Sequence, residues 1–174
     1  MKKIFFLCCI LFSSSLHSQV GGESVFQFLN LTSSSRQVAL GGEVLTLIND
    51  VNQPIWNPSV INPSLDKQLS LNYTSYLAGI STGSAAYSQV INRRLGAIHG
   101  SIKYLNYGSL VEADENGLET GTFKASDVAI SFGYAVNLPW TNIYMGLNGK
   151  FINSRISNFT SNGIASDIAI LYYS

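Results

Sequence analysis

Few side chains in this sequence stand where chemistry would want them. His99 and Ser101 are two residues apart in an alternating stretch, which puts both on one face of a strand. A base beside a hydroxyl suggests a nucleophilic pair, but such a pair also needs a polar group to orient the imidazole. Two-residue spacing is how any strand spaces its neighbours, so His99 reads as a polar residue of an inward face. Glu112, Asp114, Glu115 and Glu119 offer oxygens of the kind calcium favours. Their spacing matches no EF-hand, and a solvated loop accounts for them. Asp127, Lys150 and Asp167 fall on the polar faces of three separate alternating segments. There they can pair across an interior and fix strand register; a part in transport is the alternative. Cys8 and Cys9 sit in the apolar N-terminal run, and no other cysteine follows. Disulfides, thiolate metal sites and thiol nucleophiles are therefore excluded from the rest of the chain. The expectation is a protein that is not an enzyme, with no catalytic, cofactor-binding or metal-ligating residues.

The elements that carry these residues begin after an export signal. Lys2 and Lys3 precede an apolar run from Ile4 to Phe12, and a small polar stretch ends near Ser18 and Gln19. Residues 1–18 read as a Sec signal peptide. The apolar run is shorter than the about 20 residues needed to span a bilayer. Phe6 and Leu7 before Cys8 are too bulky for a lipobox, and Cys8 comes too early. Without Lys2 and Lys3, 8 basic residues face 10 acidic ones, a net charge of −2. No basic patch marks nucleic-acid binding. Charged residues are 11% of the chain, against about 25% in soluble domains. Low charge without a long apolar run suggests an outside that partly does not face water, as in transmembrane barrels. Asn30, Asn72 and Asn158 begin glycosylation sequons, which carry little weight in a bacterial chain.

The remainder divides near Asp66. Residues 19–66 are irregular, with Gly21-Gly22, Gly41-Gly42, Pro54, Pro58 and Pro63. One short helix over 33–40 and one short strand over 43–48 are expected, with turns at Asn57-Pro58 and Asn62-Pro63. From Lys67 the pattern becomes alternation. Val128, Ile130, Phe132, Tyr134 and Val136 alternate with Asp127, Ala129, Ser131, Gly133 and Ala135, and four other segments behave alike. Six strands are expected, at 67–78, 82–91, 94–107, 124–138, 142–156 and 162–174. Several are longer than the roughly 9–11 residues of a tilted membrane strand.

The polar face is also the small face, suiting a barrel lumen, and the other face carries branched aliphatics and aromatics, suiting lipid. Tight turns at Arg93-Arg94 and at residues 139–141 oppose a long loop at 107–123, with an intermediate one at 157–161. Short turns on one side and longer loops on the other fit an outer-membrane barrel with the long loops extracellular. Tyr104, Tyr107, Trp140, Tyr144, Tyr172 and Tyr173 lie near strand ends, where aromatic girdles sit. The fold class expected is all-β, an antiparallel transmembrane β-barrel in the cell outer membrane. A secreted β-sandwich is the alternative; its strands are shorter and its outward face more charged.

Specific motifs add a resemblance. The run Gly21-Gly22-Glu23-Ser24-Val25-Phe26-Gln27-Phe28-Leu29-Asn30-Leu31 is followed by Ser35-Arg36-Gln37-Val38-Ala39-Leu40-Gly41-Gly42. Asn49-Asp50-Val51-Asn52 and Trp56-Asn57-Pro58 come next, and Tyr104-Leu105-Asn106-Tyr107-Gly108 later. Across nearly the whole exported chain this resembles the PorQ family of type IX secretion, within the PorV and FadL-like barrels of Bacteroidota. Phe28, Leu29, Asn30, Arg36, Gly41, Gly42, Asp50, Asn57 and Pro58 carry the likeness. The resemblance implies a FadL-like barrel with residues 19–66 as an N-terminal plug and 67–174 as barrel wall. It implies an attachment complex with PorU, PorV and a PorZ-like surface protein, which joins exported cargo to lipopolysaccharide. In that picture the barrel is a non-enzymatic anchor set in outer-membrane lipid. A FadL-like transporter of hydrophobic compounds is the alternative. Such barrels have about fourteen strands; with six, a partial barrel truncated on its C-terminal side is expected, since open edges in hydrocarbon cost several kcal/mol per unpaired group.

Overall fold

The structure is a computed structural model that describes residues 25–32, 34–42, 44–92, 96–138 and 141–173. The expected signal peptide at residues 1–18, with Cys8 and Cys9, lies outside the described residues. So do Gly21, Gly22, Glu23, Ser24, Ser33, Glu43, Arg93, Arg94, Pro139 and Trp140.

Alternating apolar and small residues produce one antiparallel sheet in simple chain order. Its strands are β1 (Gln68–Ser75), β2 (Ser81–Asn92), β3 (Gly96–Ala113), β4 (Glu119–Asn137), β5 (Ile143–Ile156) and β6 (Phe159–Tyr172). The protein is thus all-β, with six strands. β3 and β4 run 18 and 19 residues, where globular strands peak at about 5–6. Each strand pairs only with its sequence neighbours, and among the described residues no ladder joins β1 to β6.

Two expectations about connections need correction. Residues 107–123 are not a long loop. β3 continues to Ala113, β4 begins at Glu119, and only residues 114–118 turn. Asp114 closes that turn by accepting the amides of Asn116 (2.9 Å) and Leu118 (2.8 Å) at Oδ1. β2 stops opposite Asn106 and β5 opposite Ala125, and beyond the Ser157 amide's bond to Lys124 O (2.9 Å) the two strands bond to each other alone. This two-stranded ribbon projects past the sheet. From Val111 to Thr122 both of its faces are exposed, so its ladder requires no hydrophobic alternation, and a charged sequence forms it. The connection after β5 is likewise tighter than expected: Ile156 pairs with Phe159, leaving two turn residues, with Ser157 at φ 53°.

The N-terminal segment lies across one face of the sheet. Helix α1 (Ser35–Ala39) starts where Ser34 Oγ accepts the Gln37 amide. It ends where the Gly42 amide reaches back to Gln37 O (2.9 Å) and that of Gly41 to Val38 O (3.0 Å). This is a Schellman closure, and Gly41 at φ 96° supplies the left-handed residue it needs. The strand expected at 43–48 does not form among the described residues. The Val44 and Leu45 carbonyls instead accept side-chain amides from Gln53 and Asn57. Three 3₁₀ turns follow, Gln53–Ile55, Pro58–Val60 and Pro63–Leu65, each with proline in its first two positions. Asn57 and Asn62 cap the last two through the amides of Ser59 (3.1 Å) and Ser64 (2.8 Å).

Residues 50–66 touch every strand. Asn52 bonds Ser70 on β1, Asp66 bonds the Val90 amide on β2, and Val51 O meets His99 on β3. Ile61 packs on Ala97 and Ala135, and the Pro58–Val60 turn lies on β4, β5 and β6. One short segment reaches six strands only if the sheet curves round it.

Candidate functional site

The concave face holds most of the buried polar side chains, and backbone carbonyls of the N-terminal segment satisfy several of them. A spacing of two between inward positions puts His99, Ser101, Lys103 and Leu105 in one row along β3, all buried. His99 Nε2 donates to Val51 O at 2.9 Å, and its Nδ1 has no partner among the described residues. No hydrogen bond joins it to Ser101, so the two do not form a nucleophile and base. Lys103, only 3% exposed, donates to Leu29 O at 3.2 Å and to Leu31 O, and its ammonium lies 5.7 Å from the Trp56 ring centroid. Those carbonyls sit at the end of the 3₁₀ turn Gln27–Asn30, whose Phe28 packs on Leu105, Ala129 and Ile152. A cation at a helix C-terminus meets unsatisfied carbonyls there.

A second polar cluster ties the segment to β1. Asp50 Oδ1 accepts the Asn52 amide and side chain, both at 2.9 Å, and Asn52 then bonds Ser70 and Asn72. Asn72 continues to Ser84 on β2 at 3.2 Å. A buried Gln37–Gln53 bond of 3.2 Å holds α1 against the same segment.

The acidic and basic candidates separate into two places. Lys150 and Asp167 form an ion pair of 2.8 Å across β5 and β6, and Asn148 Nδ2 reaches the same Asp167 oxygen at 3.3 Å. Asp127 does not join them. Its Oδ2 accepts the Tyr107 hydroxyl at 2.7 Å, beside a cavity of about 600 Å³ between the root of the ribbon and Phe26. Glu112, Asp114, Glu115 and Glu119 are exposed around the ribbon's end. Among the described residues no three His, Cys, Asp or Glu side chains cluster as a metal site requires.

The motif residues take structural places. Phe28 is buried, Leu29 gives its carbonyl to Lys103, and Asn30 is exposed. Arg36 holds Asn49 through its carbonyl (3.3 Å) and Oδ1 (3.0 Å). Gly41 and Gly42 close α1, Asp50 and Asn57 brace turns, and Pro58 is buried where β5 has Gly146. A Cβ on Gly146 would overlap the backbone of Pro58 and Ser59. Sequence reasoning did not single out Lys103, Asn52, Asn72, Asn148 or Tyr107 as bonding partners on this face. A lysine on the small-residue side of an alternating strand was the available signal for Lys103.

The convex face is the inverse. One register row, Leu71, Ala85, Ile102, Ile130, Phe151 and Ile164, crosses all six strands. Much of it is bare, with Ile164 86% and Leu71 73% exposed. Above lies a wholly polar row: Ser75, Ser81, Asn106, Ser126, Arg155 and Thr160. Fold and site together define an all-β protein with its polar face covered and its apolar face open. Compared with known proteins, the chain matches no protein-family model and no curated protein.

Proposed function

We propose that this chain forms part of an outer-membrane β-barrel wall, plugged by residues 25–66, and serves as a non-enzymatic subunit of a type IX secretion attachment complex. The observation that carries the membrane reading is the shape of the apolar band on the convex face. On β1 the band runs from Tyr73 to Leu69, and on β6 from Ile164 to Tyr172. Traced through the register, its upper boundary drops one row and its lower boundary three between those strands. A row is two residues, about 6.6 Å, and five inter-strand steps of about 4.8 Å span about 24 Å. The band is therefore oblique to the rows by roughly 15–40°. A level slab of hydrocarbon across strands tilted by about 35–45° leaves such a slant. A sandwich in water has no reason to produce it, and its outer face would carry charge. In lipid the outer edges of β1 and β6 require partners, because unpaired backbone groups cost several kcal/mol each there.

The anchoring role rests on the PorQ-like motifs. They form the turns that hold the segment against the sheet, leaving the acidic ribbon free at one end. Deletion of the gene tests it, with loss of surface attachment of secreted proteins as the expected result, and capture of the protein from the intact strain should co-purify a PorZ-like protein. Normal secretion with impaired uptake of hydrophobic compounds would replace the anchor with a transporter, and recovery of the protein in the medium would refute the membrane reading.

A further inference from the structure

We propose that the cavity between Phe26 and the root of the β3–β4 ribbon is a binding site for a small organic ammonium with an apolar body. This goes beyond the anchoring role and does not depend on it. The cavity, about 600 Å³, falls within the roughly 300–1,000 Å³ of small-molecule sites. Phe26, Leu110, Phe123 and Ile156 give it apolar walls, and its polar groups include Tyr107, Asp127 and Ser154. Asp127 and Ser154 are direct cross-strand partners, so carboxylate and hydroxyl share one spot on the wall.

Asp127 supplies the selectivity. It is 5% exposed, and burying a carboxylate is costly unless it is paired. Its Oδ2 has the neutral Tyr107 hydroxyl, while among the described residues Oδ1 has no hydrogen-bond partner. Asp127 lines the cavity, next to Ser154. Among the described residues it has no ion-pair partner: Lys150 is engaged with Asp167, and Lys103 with the Leu29 and Leu31 carbonyls. A ligand ammonium at Oδ1 would complete the pair, with Ser154 Oγ as a second acceptor and the hydrocarbon against Phe26 and Phe123. An anionic head would meet Asp127 with like charge, and a neutral one would leave it uncompensated.

The test uses the full exported chain refolded in a non-ionic detergent and three probes that share a phenylethyl body: 2-phenylethylamine, 2-phenylethanol and 3-phenylpropionate. Titration calorimetry should give the amine at least about tenfold tighter binding than the alcohol, and no binding of the acid. Asp127→Asn keeps an acceptor for Tyr107 and should bring amine and alcohol within about twofold of each other. Leu110→Trp fills the cavity without touching the carboxylate and should abolish amine binding, which keeps the proposal testable if Asp127→Asn does not refold. Equal binding of amine and alcohol by the wild type would overturn it. So would no detectable amine binding, a preference for the acid, an amine preference that survives Asp127→Asn, or amine binding that survives Leu110→Trp.

Discussion

Replacing Gly146 by alanine should loosen the N-terminal segment from the sheet while leaving the strands paired. Gly146 is on the concave side of β5, and a Cβ there would fall well inside contact distance of the Pro58 carbonyl group and the Ser59 nitrogen. Those are backbone atoms, so no rotamer change relieves the clash. The turn Pro58–Val60 must retreat by about an ångström. That turn is buried and lies on three strands. Overpacking of this kind costs about 1–3 kcal/mol, which raises the equilibrium for segment opening by about 5- to 150-fold. Gly149, three residues along the same strand, is the control. A Cβ there meets nothing within 4 Å, and Gly149→Ala should be neutral or stabilising by about 0.4–1 kcal/mol through the unfolded chain. Hydrogen exchange of the refolded protein reads the difference at the Val60 and Ile61 amides, which bond to Asn57 O and Pro58 O. The reasoning fails if Gly146→Ala leaves their exchange at the wild-type rate, or if Gly149→Ala accelerates it equally.

Lys103→Met removes the donor shared by Leu29 O and Leu31 O and should destabilise the packing of residues 25–32 by about 1–3 kcal/mol; unchanged proteolysis near Phe28 would contradict this. Asp167→Asn and Lys150→Met should each lower the denaturant midpoint, since each leaves one charge of the pair, the 11% exposed Lys150 or the 31% exposed Asp167, without its counter-charge; a midpoint unchanged by either would argue against the pair. In the ribbon turn, the Leu118 amide, helped by the Asn116 amide and side chain and the Gly117 amide, holds the Asp114 carboxyl below its ordinary 3.8. A depressed acid contributes above its unfolded value and loses that contribution as pH falls through the folded one. The Asn116 and Leu118 amide resonances should therefore titrate with a midpoint under 3.8; a midpoint at or above it refutes the turn bonds. Cysteines introduced at Glu115 and Thr141 test orientation, since residues 19–173 contain none. Impermeant reagent on intact cells should label Glu115→Cys alone, and labelling of Thr141→Cys alone would invert the barrel.

Alternation by itself determined the six strands, their order of faces and the polar character of one side. Each inward side chain is two residues from the next, so parity is visible in a linear string, and His99, Asp127, Lys150 and Asp167 could all be assigned to the inner face. The α1 terminus was equally local: Leu40-Gly41-Gly42 contains the residues a left-handed closure needs. The ribbon was not visible, because beyond the sheet both faces meet solvent and the backbone ladder imposes no pattern on side chains. Partners were invisible for a different reason. Lys103 meets carbonyls more than seventy residues earlier, Asp127 takes Tyr107 rather than Lys150, and Gly146 makes room for Pro58. Those choices depend on the curvature that brings residues 50–66 into reach of six strands at once. The slant of the apolar band needed both: residue type came from the sequence, and the inter-strand register that turns types into a band came only from the folded sheet.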